Sequence, residues 1–344
     1  MVTKIGLDLG YASITLSNIA GEVYREPSVV LVDKKTRRVV SVGDDAMDNS
    51  ASAEGSAMLV RPFKNGLLYS SDLTREIIRH AIKALGTVDK LRCAISLPSD
   101  MIPKQEGEIF KMLSEAGVDE CFSVNPAVAA LIGAGYAPTM DSVSVNIGAS
   151  VTEIAVLSKG VPIITTRTEV GGENFDKAIK EYILEQGDMA VSLLVARTIK
   201  EKLGAVWQGR ASESIDIEGT LSLTGNRVKM SISTEDVVGV FEKPLQTLLM
   251  AIGNTVKKIP YDCVESIFAN GIVLSGGGAQ IFGLDTMIEK VFGIKVTLAN
   301  TPIDCVAKGL SRIHSFIPSK ASYNKKNVTL QLAKFYKAKK KTKS

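Results

Sequence analysis

Cysteine, histidine and tryptophan are scarce in this sequence, which has four cysteines, two histidines and one tryptophan in 344 residues. The cysteines form no CxxC pair, which argues against zinc sites and a disulfide framework and favours buried thiols in a reducing cytoplasm (Cys93, Cys121, Cys263 and Cys305). His80 and His314 are too isolated for a metal cluster, so we expect a surface or packing role for each.

The sequence also lacks a long apolar run of the membrane-spanning kind. The uncharged stretch Cys121–Met140 is long enough, but its prolines and glycines predict a buried loop and helix. The first residues enter a strand at once, so no export signal is expected. Apolar residues make up 45% and aromatic residues 6% of the chain, which is typical of a soluble α/β protein.

A strand–turn–strand pattern occurs twice. Thr3–Ser17 returns in outline as Ser142–Val156, so that Asp8 matches Asn146 and Gly10 matches Gly148. A glycine in such a turn lets backbone N–H groups point outward, where they can bind phosphate. The duplication therefore predicts two similar lobes that face a shared cleft.

Alternating strand and helix patterns predict mixed sheets covered on both faces. Residues 43–64 are expected to form an irregular insertion, and the helix that starts near residue 71 is expected to have Ser70 or Ser71 as its cap. Thr234–Val256 is predicted as one long helix bent at Pro244, and Pro302–Phe316 as a final helix that returns to the first lobe.

Five segments are candidates for the cleft: Asp8-Leu-Gly10, Asn146-Ile-Gly148, Glu169-Val-Gly-Gly-Glu173, Thr198-Ile-Lys-Glu-Lys-Leu203 and Gly276-Gly-Gly-Ala279. With these the chain resembles the actin superfamily, and within it the bacterial shape-determining MreB family. The resemblance extends from Lys4 to Ile317. It includes Arg25-Glu-Pro-Ser28, Arg61-Pro-Phe-Lys-Asn-Gly66, Asn125-Pro-Ala-Val-Ala-Ala130, Gly171-Gly-Glu-Asn-Phe-Asp176 and Pro302-Ile-Asp-Cys-Val-Ala-Lys-Gly309.

The resemblance implies the actin-like, duplicated ribonuclease-H-like α/β fold, in which each of two lobes has a mixed five-stranded sheet flanked by helices. Lobe I would comprise residues 1–141 and 302–318, with a small insertion at about 32–65. Lobe II would comprise residues 142–301, with a small subdomain at about 176–244. Residues 319–344 would form a basic tail, either disordered or an amphipathic helix.

The resemblance also implies a function. It indicates a nucleotide-binding cytoskeletal subunit that takes ATP, or alternatively GTP, with Mg²⁺ in the cleft. Its partners would be further copies of itself in filaments, the anionic inner membrane surface, and cell-shape or wall-synthesis proteins. Its location would be the cytoplasmic face of the cell membrane. No specific nucleic-acid partner is expected.

By the same resemblance, Asp8 would hold Mg²⁺ through water, and two turns would wrap the phosphates from either side. Lys200 and Glu201 would face the base and ribose, and the glycine triplet would support the base and α-phosphate. The full set of expected nucleotide-binding residues is Asp8, Gly10, Tyr11, Ala12, Ser13, Gly148, Ala149, Ser150, Gly171, Gly172, Glu173, Arg197, Lys200, Glu201, Gly276, Gly277, Gly278 and Ala279.

The chain departs from the family pattern where chemistry depends on it. Asn146 replaces the aspartate of the second turn, and Asn125 replaces the acidic or amide residue that positions the attacking water. Ala149 and Val151 add β-carbons to the second turn, and Tyr11 adds bulk to the first. Positioned water and stabilised charge drive phosphoryl transfer. We therefore expect at most a slow ATPase, with Asn125 at the water-positioning place.

Two other classes of function share this fold. A non-polymerising chaperone or membrane adaptor would use nucleotide as a switch, but no substrate-binding domain follows the final helix, and the insertion has the size found in MreB. A sugar or acetate kinase needs an aspartate in the cleft for the acceptor hydroxyl, and Asn125 and Asn146 leave no obvious candidate.

The charge of the chain is uneven. From Lys320 onward there are nine lysines and no acid, which leaves 32 basic against 37 acidic residues before it. Val328, Leu332, Phe335 and Tyr336 share one helical face of this tail, with Lys334, Lys337 and Lys341 around it. The pattern is compatible with a membrane anchor, a solvated tail or loose contact with nucleic acid. If the tail binds membrane, the residues expected to make the contact are Lys334, Phe335, Lys337 and Lys341.

Overall fold

The computed structural model describes residues 2–53, 55–98 and 100–316. Its strands are β1 (Val2–Leu9), β2 (Ser13–Asn18), β3 (Val23–Pro27), β4 (Val30–Asp33), β5 (Val39–Val42), β6 (Ala57–Val60), β7 (Phe63–Lys64), β8 (Leu67–Leu68), β9 (Lys90–Ser96), β10 (Glu120–Val124), β11 (Ser142–Ile147), β12 (Thr152–Ser158), β13 (Val161–Thr168), β14 (Met189–Ala190), β15 (Ser214–Leu221), β16 (Arg227–Ser233), β17 (Ile272–Ser275) and β18 (Val296–Leu298). The helices are α1 (Asp44–Ser52), α2 (Ser71–Lys83), α3 (Pro103–Glu115), α4 (Pro126–Gly133), α5 (Gly172–Gly187), α6 (Leu193–Leu203), α7 (Thr234–Val238), α8 (Glu242–Val256), α9 (Tyr261–Asn270), α10 (Leu284–Phe292) and α11 (Cys305–Ile313). Short 3₁₀ turns occupy Gly239–Phe241, Gly277–Gln280 and Pro302–Asp304.

Two five-stranded sheets of the same topology dominate the molecule. The first sheet has the order β10-β9-β1-β2-β3, and the second has the matching order β18-β17-β11-β12-β13. In each, the central strand pairs in parallel with one neighbour and antiparallel with the other. The predicted pair of mixed five-stranded sheets is therefore confirmed.

Helices α4 and α11 lie between the two sheets and pack closely on each other. A β-carbon on Gly133 would lie 1.7 Å from the Cys305 carbonyl oxygen, and one on Gly309 would lie 1.7 Å from that of Ala129. The apolar cluster around them joins Ala94 and Phe122 of the first sheet to Ala155 and Val273 of the second. These two helices therefore connect the sheets through a shared core.

The last helix also contacts the central strand of the first sheet. A β-carbon on Gly6 would lie 2.4 Å from the Ala307 carbonyl oxygen, so only glycine permits this approach. His314, which follows α11, is 3% exposed and hydrogen-bonds through Nε2 to the Ile5 carbonyl oxygen at 2.9 Å. The predicted return of the final helix is thus observed, although its first turn is a 3₁₀ turn.

Two smaller sheets flank the large ones. The order β5-β4-β6 forms one, beside α1, and the order β14-β15-β16 forms the other. The prediction that residues 43–64 are irregular was wrong, because they contain α1 and β6. Helix α1 is short and polar with Ala46 as its buried residue, so its sequence carries little helical periodicity.

Other helices that the sequence predicts are present, and they differ from the predictions in their interruptions. Thr234–Val256 is interrupted by the 3₁₀ turn Gly239–Phe241, and Pro244 falls in the first turn of α8, where its missing N–H has no consequence. The prediction that Ser70 or Ser71 caps α2 is confirmed, because the Ser70 side chain accepts a hydrogen bond from Leu73 N at 3.4 Å. Helix α9 and strand β18 lie outside the sequence predictions.

The scarce residues lie mainly in the interior. Cys93, Cys263 and Cys305 are buried free thiols, and Cys121 is partly buried. His80 pairs with Glu26 at 2.8 Å. None of the helices within the described ranges combines the length and apolar character needed to span a bilayer.

Candidate functional site

Two equivalent turns end the central strands of the large sheets. Gly10 N donates to Ser13 O at 3.0 Å, and Gly148 N donates to Val151 O at 2.9 Å. Within the described part of the chain, the next two N–H groups of each turn find no backbone acceptor, namely those of Tyr11, Ala12, Ala149 and Ser150. The duplication in the sequence thus produces two sets of free amide donors.

The turns face a cavity of about 440 Å³ between the sheets. This volume falls within the usual range of small-molecule sites. Its walls are formed by Asp8, Gly10, Tyr11, Ala12, Ser13, Asn146, Gly148, Ala149, Gly172, Glu173, Asp176, Arg197, Lys200, Glu201, Gly276, Gly277, Gly278, Gln280, Ile281, Ile303 and Val306. Most of the residues expected from the sequence are therefore brought together in one place.

Four of the expected residues do not line the cavity. Ser150 is buried and accepts a hydrogen bond from Asn65 N at 3.3 Å. Gly171 packs against the Ala149 carbonyl, to which a β-carbon would come within 2.7 Å. Ala279 is buried in the core of the second sheet. Asn125 caps α4, its Oδ1 accepting from Ala127 N at 2.9 Å and Val128 N at 3.2 Å.

Sequence reasoning missed six lining residues as ligand contacts: Asn146, Asp176, Gln280, Ile281, Ile303 and Val306. Asp176 lies one helical turn after Glu173, and this spacing was a usable signal. Ile303 and Val306 reach the cavity because Gly276 N donates to Pro302 O at 2.8 Å, which joins distant segments. No local pattern encodes that contact.

Asp8 is the carboxylate on the first-sheet wall. Ser96 Oγ donates to its Oδ1 at 2.5 Å, and burial raises the pKa of the Asp8 carboxyl above its ordinary value, with the Ser96 hydrogen bond and Arg25 acting in the opposite direction. Asn146 is its counterpart on the second-sheet wall, where Ser275 Oγ donates to Oδ1 at 3.2 Å. The cleft therefore has a carboxyl group on one wall and a carboxamide at the equivalent position of the other.

Tyr11 crosses the cleft. Tyr11 and Glu173 line the cavity from opposite walls, and burial together with the Glu173 carboxylate raises the pKa of Tyr11. The Arg61 guanidinium lies 5.3 Å and the Lys64 ammonium 5.5 Å from the centre of its ring, within cation–π range. Arg61 Nη1 also donates to the carbonyl oxygens of Tyr11 and Ala12, at 3.0 and 3.1 Å.

A buried ion pair forms the far wall. Lys200 Nζ lies 2.6 Å from Asp176 Oδ1 and donates to the Gly172 carbonyl oxygen at 3.0 Å. Arg197 Nε lies 3.6 Å from Asp176 Oδ2, and the Asp176 side chain is 1% exposed. Two cations thus share one carboxylate, and the Glu201 carboxylate, which also lines the cavity, balances the second positive charge.

The glycine triplet closes the remaining side. Gly276 has a φ of 86°, and a β-carbon there would lie 2.2 Å from the Ile147 carbonyl oxygen. A β-carbon on Gly278 would lie 2.4 Å from Ile147 Cγ2. Glycine at both positions lets this turn lie directly against the second amide-bearing turn.

The site fits a magnesium ion carried by a polyphosphate. Within the described ranges, no three His, Cys, Asp or Glu side chains gather closely enough to hold a metal ion on their own. Mg²⁺ in nucleotide sites takes one or two carboxylates, waters and phosphate oxygens. Asp8 would bind the ion through water. The positive charge of the ion would in turn stabilise the buried carboxylate of Asp8.

Comparison with known proteins agrees with this geometry. The sequence matches the MreB/Mbl protein family model over residues 2–321. Cell shape-determining protein Mbl of Bacillus cereus is 28% identical over 313 residues, which cover 89% of this chain and 93% of Mbl. Cell shape-determining protein MreB of Escherichia coli K12 is 27% identical over 317 residues, with coverages of 89% and 91%.

Solved structures have the same fold. The crystal structure of MreB5 of Spiroplasma citri bound to ADP superposes with a TM-score of 0.86 at 22% identity, over 92% of this chain and 97% of that one. The MamK double helical filament gives 0.80 at 22% identity, over 92% and 100%. The resemblance to actin-like proteins is confirmed, and the chain belongs to the MreB/Mbl protein family.

Proposed function

We propose that this chain is a nucleotide-binding, actin-like cytoskeletal subunit that assembles into filaments and helps to determine cell shape. The observation that carries the proposal is the pair of equivalent turns, which line one cavity of about 440 Å³ with Tyr11, Ala12 and Ala149, whose amides have no backbone acceptor. A polyphosphate needs several donors from both sides, and the two turns supply them.

Each wall of the cavity would hold a different part of the nucleotide. The turns at Gly10 and Gly148 would hold the phosphates, and Asp8 would hold Mg²⁺ through water. Lys200, Glu201 and Arg197 would face the ribose and base, with the glycine triplet behind them. ATP is the proposed nucleotide and GTP the alternative, since no described side chain distinguishes the two base edges on geometry alone.

Relatives support both nucleotide binding and self-association. MreB5 of Spiroplasma citri has been solved bound to ADP and to AMPPNP, and MamK as a double helical filament. Family membership favours the filament subunit over a non-polymerising chaperone or adaptor. Cell-shape and wall-synthesis partners, and a location under the cell membrane, are part of the proposal by family analogy.

We further propose that nucleotide hydrolysis is slow. Asn146 has no negative charge to place near the metal. Asn125 has an amide where a carboxylate is expected from the resemblance, and its oxygen already accepts the hydrogen bonds that cap α4. Slow turnover would prolong the nucleoside triphosphate state of an assembled filament.

Calorimetry and electron microscopy test the proposal on the full chain with magnesium and ATP. We expect nucleotide uptake at submillimolar concentration and ordered filaments that depend on nucleotide. Ala12→Asp places a carboxylate in the first turn and should weaken uptake at least tenfold through repulsion of phosphate. Ala20→Asp makes the same change in an exposed turn at the other end of β2 and is the matched control.

Two results would contradict this proposal. One is the absence of heat with either ATP or GTP at millimolar concentration. The other is equal uptake by the Ala12→Asp and Ala20→Asp variants, which would place the nucleotide elsewhere.

A further inference from the structure

The two amide-bearing turns differ in the residue that directly follows the glycine. This residue is Tyr11 in the first turn and Ala149 in the second, and both line the cavity. Within the described ranges, neither residue donates its amide to a backbone acceptor, so the two positions match in their backbone. They do not match in their side chains. A ligand held by both turns therefore meets an aromatic ring on one side and a methyl group on the other.

The Tyr11 ring belongs to the first turn, and the group that faces it belongs beside the second. Glu173 lines the opposite wall of the cavity, and its N–H donates to the Ala149 carbonyl oxygen at 2.7 Å, which fixes it next to that turn. Burial and the Glu173 carboxylate raise the pKa of Tyr11. Burial acts to raise the pKa of Glu173, but neighbouring groups, Lys177 first and Tyr11 among them, lower it. Tyr11 and Glu173 together thus bridge the two turns.

Two cations hold the Tyr11 ring in this bridge. Arg61 Cζ lies 5.3 Å and Lys64 Nζ 5.5 Å from the centre of the ring. Neither residue lines the cavity, so both contact the ring rather than a ligand. A cation–π contact of this kind changes an equilibrium by about two- to fivefold. The two contacts together therefore oppose a movement of the ring by about tenfold.

We propose that Tyr11 is a specificity-determining residue, which discriminates against a third phosphate on the bound nucleotide. This inference rests on the proposed nucleotide site. With the base and ribose at Lys200 and Glu201, the phosphate furthest from the base comes nearest to the bridge between the turns. A third phosphate would also face the Glu173 carboxylate, which has a charge of the same sign. A diphosphate leaves the ring in place, whereas a triphosphate binds only after the ring has moved.

Calorimetric titration of the full chain tests this role, with ADP and with the nonhydrolysable ATP analogue AMPPNP, each with magnesium. The quantity to compare is the ratio of the two dissociation constants. Tyr11→Ser removes the ring, and we expect the ratio to shift about tenfold in favour of AMPPNP. The dissociation constant of ADP should change less than about threefold, because a diphosphate does not displace the ring.

A second variant acts on the other half of the bridge. Glu173→Gln keeps the shape of the side chain and removes the charge that repels a third phosphate. The ratio should shift in the same direction by about three- to fivefold. Tyr69→Ser is the matched control, since it makes the same change at a tyrosine that is 66% exposed and does not line the cavity. This control should keep the wild-type ratio.

Two outcomes would overturn the inference. The first is a wild-type ratio in Tyr11→Ser, or in Glu173→Gln if Tyr11→Ser does not fold. The second is a shift in Tyr11→Ser that comes from weaker binding of ADP, with no gain in affinity for AMPPNP. In both, the nucleotide still binds, so the proposed function survives. A wild-type chain that binds neither ADP nor AMPPNP would instead remove the proposed function itself.

Discussion

The close contact between α4 and α11 makes Gly309 a sensitive position. A β-carbon there would lie 1.7 Å from the Ala129 carbonyl oxygen. The closest usual approach of carbon to a carbonyl oxygen is about 3.3 Å, so Gly309→Ala must separate the helices by about 1.6 Å. Neither side of this contact is a flexible side chain, so rotation cannot relieve it.

The expected magnitude follows from two opposing effects. Alanine stabilises a helix interior by about 0.8–1.0 kcal/mol relative to glycine. Overpacking costs about 1–3 kcal/mol, and a backbone contact belongs at the upper end. We therefore expect Gly309→Ala to lower the free energy of unfolding by about 2 kcal/mol.

Gly107 supplies the matched control. It lies inside α3, and no described atom beyond its chain neighbours and the adjacent backbone of this helix comes within 4 Å of a β-carbon built on it. Gly107→Ala should raise the free energy of unfolding by about 0.5–1 kcal/mol. Urea unfolding followed by circular dichroism measures both variants. If the two variants had equal midpoints, the contact between the helices would not exist as described.

Two further predictions concern the buried histidine and the basic tail. Burial lowers the pKa of His314 from 6.5 to about 4, so the unfolded chain binds a proton that the folded chain does not. The stability that the neutral His314 allows is present above pH 6.5 and is lost as the pH falls towards 4. Between pH 7 and pH 5, the free energy of unfolding of the wild type should fall by about 2 kcal/mol more than that of His314→Gln. Urea unfolding measures both proteins, and an equal fall in the two would contradict this prediction. The tail lies outside the described residues. Each lysine near an anionic leaflet contributes about 1 kcal/mol, so deletion of residues 321–344 should abolish sedimentation with anionic vesicles, and unchanged pelleting would exclude the tail as an anchor.

The architecture could be predicted because the chain repeats itself. The spacing of Asp8 and Gly10 returns at Asn146 and Gly148, and the two resulting turns have nearly identical hydrogen bonds. Alternating strand patterns around them were long enough to predict both sheets. Helix α1 escaped prediction because a short polar helix with one buried residue has almost no periodicity.

The sequence could predict a residue of the cavity only where the signal lies in residues that are close together in the chain. Asp176 had such a local signal in its spacing from Glu173, whereas Ile303 reaches the site because Gly276 N donates to the carbonyl oxygen of the preceding Pro302. The capping role of Asn125 had a local signal, an asparagine directly before a proline at the first helical position. The water-positioning place at Asn125 stays a prediction.

The two amide-bearing turns are fastened to different parts of the molecule. The second is tied to α5, since Gly172 N and Glu173 N donate to the carbonyl oxygens of Gly148 and Ala149 at 2.9 and 2.7 Å. The first is held by Arg61, which directly follows β6 of a small outlying sheet. The first turn is also joined to the end of β3, because Ser28 N donates to the Ala12 carbonyl oxygen at 3.0 Å. We therefore expect a change in the bound phosphates to be transmitted to α5 through the second turn, and through the first turn to the β5-β4-β6 sheet by way of Arg61.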